Sequence, residues 1–178
     1  MSKENFAGQF LVATPAILGP PFERSVILVL EHDSSGAIGV VLNRDSGLLV
    51  ADVLPDMTDL IADPPHVFIG GPVSTETALC LATSPSGAFI RPSPFDTIGL
   101  IDPSHPPHDV SRARVFAGYA GWDPGQLEAE LEETAWWVTL ADVQDVFGDT
   151  TDLWRSTVRR APGRVPLFGT YTATPARN

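Results

Sequence analysis

The stretch SVILVLEHDSSGAIGVVL, residues 25–42, decides the fold class of this 178-residue chain. Its first part, residues 25–31, is apolar on both faces and contains five consecutive aliphatic side chains. That run is too short for a typical helix, so it predicts a central strand. Turn formers occupy residues 32–36, and a second aliphatic run follows over residues 37–42. Two such runs joined by about five turn formers predict an antiparallel hairpin.

Outward from this hairpin, further apolar runs bounded by Pro, Gly and Ser predict more strands. These cover residues 9–13, 67–69, 77–83, 88–90, 97–100, 112–119 and 136–140. Helical spacing predicts helices over residues 48–54, 142–147 and 150–160. Because strands come first and last and do not alternate regularly with helices, the chain is predicted to be α+β, with a mixed or mostly antiparallel sheet.

A further helix is predicted after Asp123, which would cap it. Pro124 then occupies the first helical position, and Gln126 reaches back as in a capping box. Leu127 and Leu131 fall on one apolar stripe. The remaining positions predict a solvated acidic face, formed by Glu128, Glu130, Glu132 and Glu133.

Composition limits the class of protein. Eleven Lys and Arg against 22 Asp and Glu give a formal net charge of −11, and 43% of residues are hydrophobic. A chain of this length buries about 70% of its unfolded surface around one core, so neither disulfides nor metals are needed. Cys80, the one cysteine, is predicted to be a buried apolar residue. Prolines interrupt the longest uncharged stretch, residues 5–22, and no signal peptide is evident, so we predict a cytoplasmic protein with no membrane contact.

Charge is segregated near the carboxyl end. Residues 123–152 contain nine acids and no Lys or Arg, whereas residues 153–178 contain five arginines and no acid. Either the two segments face each other or the arginines contact nucleic acid. The candidate nucleic-acid contacts are Arg155, Arg159, Arg160 and Arg164. The net charge of −11 disfavours the nucleic-acid interpretation.

A candidate polar cluster lies at the predicted hairpin, formed by Glu31, His32, Asn43 and Arg44. The hairpin is expected to bring Glu31 and Asn43 near each other, and a histidine beside carboxylates can transfer protons near neutral pH. Alternatively, these side chains hydrogen-bond the turn, with Arg44 paired to an acid. The first interpretation allows a hydrolase that uses His32 and nearby carboxylates.

Established catalytic motifs are absent from the sequence, including the Walker loop, the dinucleotide fingerprint, the zinc-protease motif and the nucleophile elbow. We therefore predict no cofactor and assign no catalytic residue. His105, His108 and Asp109 suggest a metal site, but the intervening prolines favour an extended loop in which residues three apart are separated by about 9 Å. Zinc needs nitrogen ligands at about 2.1 Å, so an exposed loop is favoured.

Several blocks, in order along the chain, resemble the YqgE/AlgH family of bacterial proteins. In the first half these are GQFLVATP (8–15), FERSV (22–26), EH (31–32), GAIGVVLN (36–43) and GGPV (70–73). In the second half they are GYAGW (118–122), GQLE (125–128), WW (136–137), DVF (145–147) and LW (153–154). The resemblance implies one α+β domain over residues 1–178, with a bulged, barrel-like sheet flanked by helices, and supplies no agreed catalytic residues.

The family's biochemical function is not established, although some members are labelled transcriptional regulators. The leading hypothesis is therefore a non-enzymatic binding or regulatory protein that acts through a protein or small-molecule partner. The alternatives are a nucleic-acid-binding regulator that uses the arginines and a hydrolase that uses His32. Residues 165–178 are predicted to form a flexible tail.

Overall fold

A mixed sheet of nine strands contains most of the predicted strands, in a computed structural model that describes residues 4–161. The strands are β1 (Gln9–Ala13), β2 (Val26–Asp33), β3 (Gly36–Val41), β4 (Asp45–Leu49), β5 (His66–Ile69), β6 (Val73–Thr83), β7 (Ile98–Ile101), β8 (Arg112–Trp122) and β9 (Trp136–Leu140). The helices are α1 (Val50–Val53), α2 (Gln126–Glu132), α3 (Val143–Phe147) and α4 (Leu153–Arg160), with a 3-10 helix at Pro55–Leu60. The predicted tail over residues 165–178 lies outside the described residues.

The predicted hairpin is confirmed as β2 and β3. Ile27 pairs with Val41 and His32 with Ala37, so both strands run further towards the turn than expected. Only Ser34 and Ser35 connect them. The hairpin is therefore tighter than the five-residue turn that the sequence suggests.

Strand β8 organises the rest of the sheet because it pairs with three other strands. Between Arg112 and Tyr119 it pairs antiparallel with β6, at Phe116 and Ala117 it pairs parallel with β5, and over residues 120–122 it pairs antiparallel with β3. The main order is β4-β5-β8-β3-β2-β1-β9, with register shifts at the β2–β3, β4–β5 and β6–β8 pairs. The predicted mixed, bulged α+β sheet is confirmed. Within residues 4–161 it is not closed, since β4 and β9 are not paired with each other.

The helices pack against apolar faces of the sheet, and this packing explains why one side of each helix is apolar. On α4, the residues Leu153, Trp154, Thr157 and Val158 are all buried. The Trp154 indole N–H donates to the Ala13 carbonyl at 2.9 Å, which ties α4 to β1. Within the described part of the chain, no helix has both the length and the hydropathy needed to cross a bilayer.

Helix α2 starts later than predicted. Gly125, with a left-handed φ of 79°, precedes its first residue, so Asp123 is not the cap and Pro124 is not helical. Half of the expected capping box forms, because the Asp123 backbone N–H donates to Gln126 Oε1 at 2.9 Å. The prediction for Glu130 is also incomplete. This carboxylate is not merely solvated, because Oε2 accepts the indole N–H groups of Trp122 at 2.9 Å and Trp136 at 2.8 Å.

Three other element predictions are corrected. Residues 48–54 are not one helix, since β4 extends to Leu49 and α1 is a single turn. Residues 88–90 are not a strand, although the Ile90 N–H donates to the Leu100 carbonyl. The helix predicted over residues 150–160 begins at Leu153, since residues 151–152 form a turn.

The Gly70-Gly71 segment brings the link between β5 and β6 directly against β8. A Cβ at Gly70 would lie 2.3 Å from the Gly118 carbonyl oxygen, and Gly118 itself has a left-handed φ of 70°. The segment is thus a close backbone contact as well as a turn, and only residues without a side chain allow it.

Candidate functional site

A cleft of about 440 Å³ lies between the junction of β3 with β4 and the loop joining α3 to α4. We call it the arginine cleft, because three of its lining residues are arginines; three others are aspartates. Its principal residues are Arg24, Asn43, Arg44, Asp45, Trp154 and Arg155. The volume falls within the range of small-molecule sites, about 300–1,000 Å³. The cleft unites residues that the sequence assigns to separate candidate groups, namely Asn43 and Arg44 with Arg155.

Asn43 fixes the backbone that leads into the cleft. Its Oδ1 accepts the Val26 N–H at 2.9 Å, and its Nδ2 donates to the Arg24 carbonyl at 2.8 Å. Both ends of the amide are therefore used by the neighbouring segment, which holds the start of β2 against the end of β3. Asn43 thus positions Arg44 and has a structural role of its own.

Arg44 is partly buried, and its guanidinium donates to the Glu23 carbonyl. Within residues 4–161 it forms no ion pair with a carboxylate in direct contact. Burial lowers the pKa of Arg44, while the more distant Glu23 charge opposes that effect. A guanidinium has five N–H donors. Arg44 therefore keeps donors for an external acceptor.

Two further arginines complete the cationic walls. The Arg24 backbone has a left-handed φ of 54°, and its guanidinium carbon lies 5.3 Å from the centre of the Trp154 ring. Arg155 lies on the first turn of α4, with Nε 3.8 Å from Asp152 Oδ1. Arginine forks of this kind suit carboxylate and phosphate groups.

The cleft also contains carboxylates, and two of them are stabilised by their own donors. Burial raises the pKa of Asp45, but the hydrogen bonds from His66 at 2.8 Å and the Gly47 N–H at 2.7 Å outweigh it and hold that pKa below its usual value. The Thr151 N–H, which donates to Asp149 at 2.9 Å, is the largest cause of the lowered pKa of Asp149. Both carboxylates therefore stay ionised, and the cleft carries negative as well as positive charge.

Arg114 lies behind the cleft and is completely buried. Its guanidinium donates to the carbonyls of Val146 and Gly148 at 2.9 and 3.1 Å and to that of Asp63 at 2.7 Å. It also lies 4.7 Å from the centre of the Phe68 ring. Arg114 therefore holds together the two loops that form the cleft wall.

Burial disfavours the charged form of Arg114. Burial is the largest cause of its lowered pKa of about 10, and Arg112 adds to the effect. The opposing charges of Asp45 and Asp149 are too small to compensate. A cation in this position adds positive potential behind the arginine cleft.

The other half of the candidate polar cluster lies elsewhere. Glu31 pairs with Ile38 across the hairpin, near the turn, whereas Asn43 lies past the opposite end beside Val26. The expected proximity of Glu31 to Asn43 is wrong, because an antiparallel hairpin separates the turn end of one strand from the open end of the other. Glu31 instead forms an ion pair with Arg91 Nε at 3.0 Å.

His32 has a structural environment. Its Nδ1 accepts the Phe6 N–H at 3.2 Å, its Nε2 lies 3.3 Å from Glu128 Oε1, and its ring stacks on Phe6. Both ring nitrogens are therefore engaged within the protein. An imidazole in this arrangement anchors the segment before β1 and leaves no nitrogen for a substrate proton.

The candidate nucleic-acid contacts do not share one surface environment. Arg155 lines the cleft, Arg159 is exposed, and Arg164 lies outside the described residues. Arg160 forms ion pairs with Asp142 at 3.4 Å and with Asp145. At α3 and α4, the acidic and basic segments therefore face each other.

The loop that the sequence considers for metal binding is held by protein contacts. His105 Nδ1 lies 3.4 Å from Asp102 Oδ2. Asp109 accepts the Ser86 N–H at 2.7 Å and the Ser84 hydroxyl at 2.8 Å, and these bonds lower its pKa to about 2. Across residues 4–161, no group of three or more His, Cys, Asp or Glu side chains is arranged to hold a metal ion.

Sequence reasoning missed Arg24, Arg114 and the pairing of His66 with Asp45. Arg24 lies in a loop whose conformation has no local signal. Arg114 lies inside a predicted strand, where the alternating pattern could have marked it as an inward-facing cation. Such a residue is rarely buried without a specific set of acceptors.

The amino-acid sequence is similar to those of known bacterial proteins. Residues 10–166 match the family described as AlgH-like. The chain is 44% identical to the UPF0301 protein SCO2948 of Streptomyces coelicolor, over 98% of this chain and 96% of that protein. It is 41% identical to a UPF0301 protein of Mycobacterium avium, over 97% of this chain and 90% of that protein.

Two solved structures are similar. The crystal structure of protein DIP2367 from Corynebacterium diphtheriae has a TM-score of 0.85 and 30% identity, over 95% of this chain and 94% of that chain. The solution structure of the AlgH protein from Pseudomonas aeruginosa has a TM-score of 0.67 and 28% identity, over 98% of each chain.

Proposed function

The chain belongs to the AlgH-like family, and from that premise we propose that it is a non-enzymatic cytoplasmic binding protein that holds a small ligand by an anionic group in the arginine cleft. This membership agrees with the resemblance to the YqgE/AlgH family in the sequence. The ligand's carboxylate or phosphate contacts Arg44, with Arg24 and Arg155 on the neighbouring walls.

One observation carries the proposal: Arg44 is a partly buried cation, in a cleft of ligand size, that donates to the Glu23 carbonyl and, among residues 4–161, forms no ion pair with a carboxylate in direct contact. Burying a charge without a partner is costly, so an external anion gains from completing its hydrogen bonds. The overall charge of −11 makes this local arrangement more selective, because anions are repelled from most of the surface.

The test is isothermal titration calorimetry with inorganic phosphate, pyrophosphate and citrate as probes. We expect at least one probe to bind, and Arg44→Gln to weaken it about tenfold or more, which is the range for a lost charge-assisted hydrogen bond. Arg159→Gln is the matched control, since Arg159 is exposed on the same helix as Arg155 but lies outside the cleft. Equal binding by the wild type and Arg44→Gln, or no binding of any probe at 10 mM or so, would overturn the proposal.

Nucleic-acid binding is the alternative use of the same arginines, and the same variants separate the two. A DNA-binding surface on α4 predicts that Arg159→Gln weakens binding of a short duplex and that affinity falls steeply with salt. The arginine cleft predicts that Arg24→Gln, Arg44→Gln and Arg155→Gln weaken binding and that Arg159→Gln does not. The Arg160 ion pairs with Asp142 and Asp145 favour the cleft.

A further inference from the structure

Strand β9 is an edge of the sheet, and among residues 4–161 it pairs with β1 alone. Just before β9 begins, the Thr14 N–H donates to the Ala135 carbonyl at 3.0 Å. Antiparallel partners alternate between hydrogen-bonded and non-hydrogen-bonded pairs, and the register of β9 with β1 is continuous. The backbone N–H and C=O groups of Val138 and Leu140 therefore point away from β1, towards the open edge.

This edge lacks the features that usually keep an edge strand from pairing further. Strand β9 reads WWVTL, with no charged residue, no proline and no register shift against β1. At the opposite end of the main strand order, β4 reads DSGLL and pairs with β5 through a shifted register. A charge, a glycine and an irregularity thus protect β4, whereas β9 is regular and apolar. A strand of the second kind readily accepts another extended segment.

An open groove of about 700 Å³ runs beside the edge of β9 to the end of α4. Val138 and Leu140 of β9 line it, together with Val143 of α3 and with Thr157 and Arg160 of α4. Leu140 is 83% exposed. Arg160 is the last residue of α4, so the chain that follows this helix starts beside the groove.

That following chain contains a segment with the composition of a strand. Residues 167–174 read LFGTYTAT, and five of these eight residues are aromatic or β-branched, the types enriched in strands. Pro166 and Pro175 bound the segment, and prolines are typical of the limits of a strand. Residues 162–166 can span about 17 Å when extended, so the segment can reach the whole of β9 from the end of α4.

From these observations we propose that residues 167–174 add to the open edge of β9 as a further, antiparallel strand. The segment approaches from the side of Leu140, the last residue of β9, and so runs back towards Trp136. Charge favours this contact, because residues 162–178 contain two arginines and no acid, whereas residues 123–152, which include β9, contain nine acids and no Lys or Arg. For these eight residues the proposal replaces the flexible tail predicted from the sequence. It does not depend on the arginine cleft.

The test is amide hydrogen exchange, followed by NMR on the full chain over a range of protein concentrations. We expect the Val138 and Leu140 amides to exchange slower than those of an unstructured chain by about 100-fold or more, because the added strand accepts their N–H groups. Sedimentation at the same concentrations should show a monomer. Unprotected amides at both positions would overturn the proposal.

A pair of variants isolates the contribution of the backbone. Thr170→Pro with Tyr171→Pro removes two consecutive N–H donors, one of which faces β9 in any antiparallel register. We expect this double variant to lose the protection of Val138 and Leu140, while protected amides in β2 and β8 show that it is folded. Thr170→Ala with Tyr171→Ala is the matched control, since it keeps both donors and should keep most of the protection. Equal protection in the wild type and the proline variant would overturn the proposal.

The edge of β9 has one competing occupant, a second copy of the chain. Pairing between copies predicts that protection of Val138 and Leu140 increases with protein concentration and accompanies a dimer. Protection that appears only together with a dimer would overturn the assignment to the chain's own residues 167–174, whichever segment of the second copy supplies the strand. Protection that is independent of concentration and sensitive to the two prolines supports it.

Discussion

Burial within the sheet suppresses the ionisation of the Cys80 thiol. It lies on β6, is 1% exposed, and burial raises the pKa of its thiol to about 12. In the unfolded chain the same thiol ionises near pH 9. Between about pH 9 and pH 12 the unfolded state therefore binds fewer protons than the folded state, and stability falls as the pH rises.

We predict that the wild type loses free energy of unfolding more steeply than Cys80→Ala above pH 9, by about 1 kcal/mol per pH unit. Urea denaturation at a series of pH values from 8 to 10.5 measures both slopes. The variant has a lower stability throughout because it leaves a small cavity. Parallel slopes would show that the thiol is accessible and ionises in the folded state.

Residue chemistry was only partly predictable from the sequence. Arg44 and Asn43 could be recognised as polar residues at the end of an apolar run, but their contacts to Glu23 and Arg24 depend on a loop with no local signal. His32 appeared poised for proton transfer because Phe6, its partner, is 26 residues distant. The local sequence identifies a titratable group, whereas tertiary contacts decide which partners hydrogen-bond to it.

Elements were predictable where the pattern was strong and local. The hairpin and β9 follow from apolar runs with clear boundaries, and their positions agree closely with the sequence expectation. Residues 48–54 were misassigned because seven residues with several aliphatic positions fit either a helix or a strand edge. Pairing of Leu49 with His66 decided between them, and that contact is not local.

The link between β5 and β6 lies against β8, with no space for a side chain at Gly70. Gly70→Ala places a Cβ 2.3 Å from the Gly118 carbonyl oxygen, so the link must move away from β8. We expect a loss of about 3 kcal/mol in the free energy of unfolding, as for other overpacked sites. Thermal and urea denaturation measure it.

Gly47→Ala is the comparison for that variant. Gly47 has a left-handed φ of 73°, which Gly70 does not have, and nothing lies within 4 Å of the added Cβ. Its expected cost is about 1 kcal/mol, which is the backbone strain alone. If Gly70→Ala costs no more than Gly47→Ala, the close contact with β8 does not have the expected effect on stability.

The whole molecule depends on contacts between distant parts of the chain. Strand β1 lies between β2 and β9, so Gln9 pairs with Leu140, and Trp154 donates to the Ala13 carbonyl. The sequence predicted the fold class, because class follows from the order and type of elements. The sequence could not predict this strand order, since pairing between strands that are far apart in the sequence produces no periodic pattern of residues.

We predict that a chain shortened to residues 1–135 does not fold cooperatively. Loss of β9, α3 and α4 leaves one edge of β1 unpaired and removes the buried faces of Phe147, Leu153 and Trp154. Amide hydrogen exchange should show no protection in β1 beyond that of an unfolded chain. Protected amides in β1, β2 and β3 of the shortened chain would mean that this part folds by itself.

The position of β1 also bears on how the protein is made. A ribosome releases β1 well before β9, the strand that completes its outer edge, which emerges only when residues 136–140 leave the exit tunnel. Until then, β1 presents unsatisfied backbone donors and acceptors that could pair with another nascent chain. The sheet order therefore makes the growing polypeptide, rather than the finished protein, the form that most needs a chaperone.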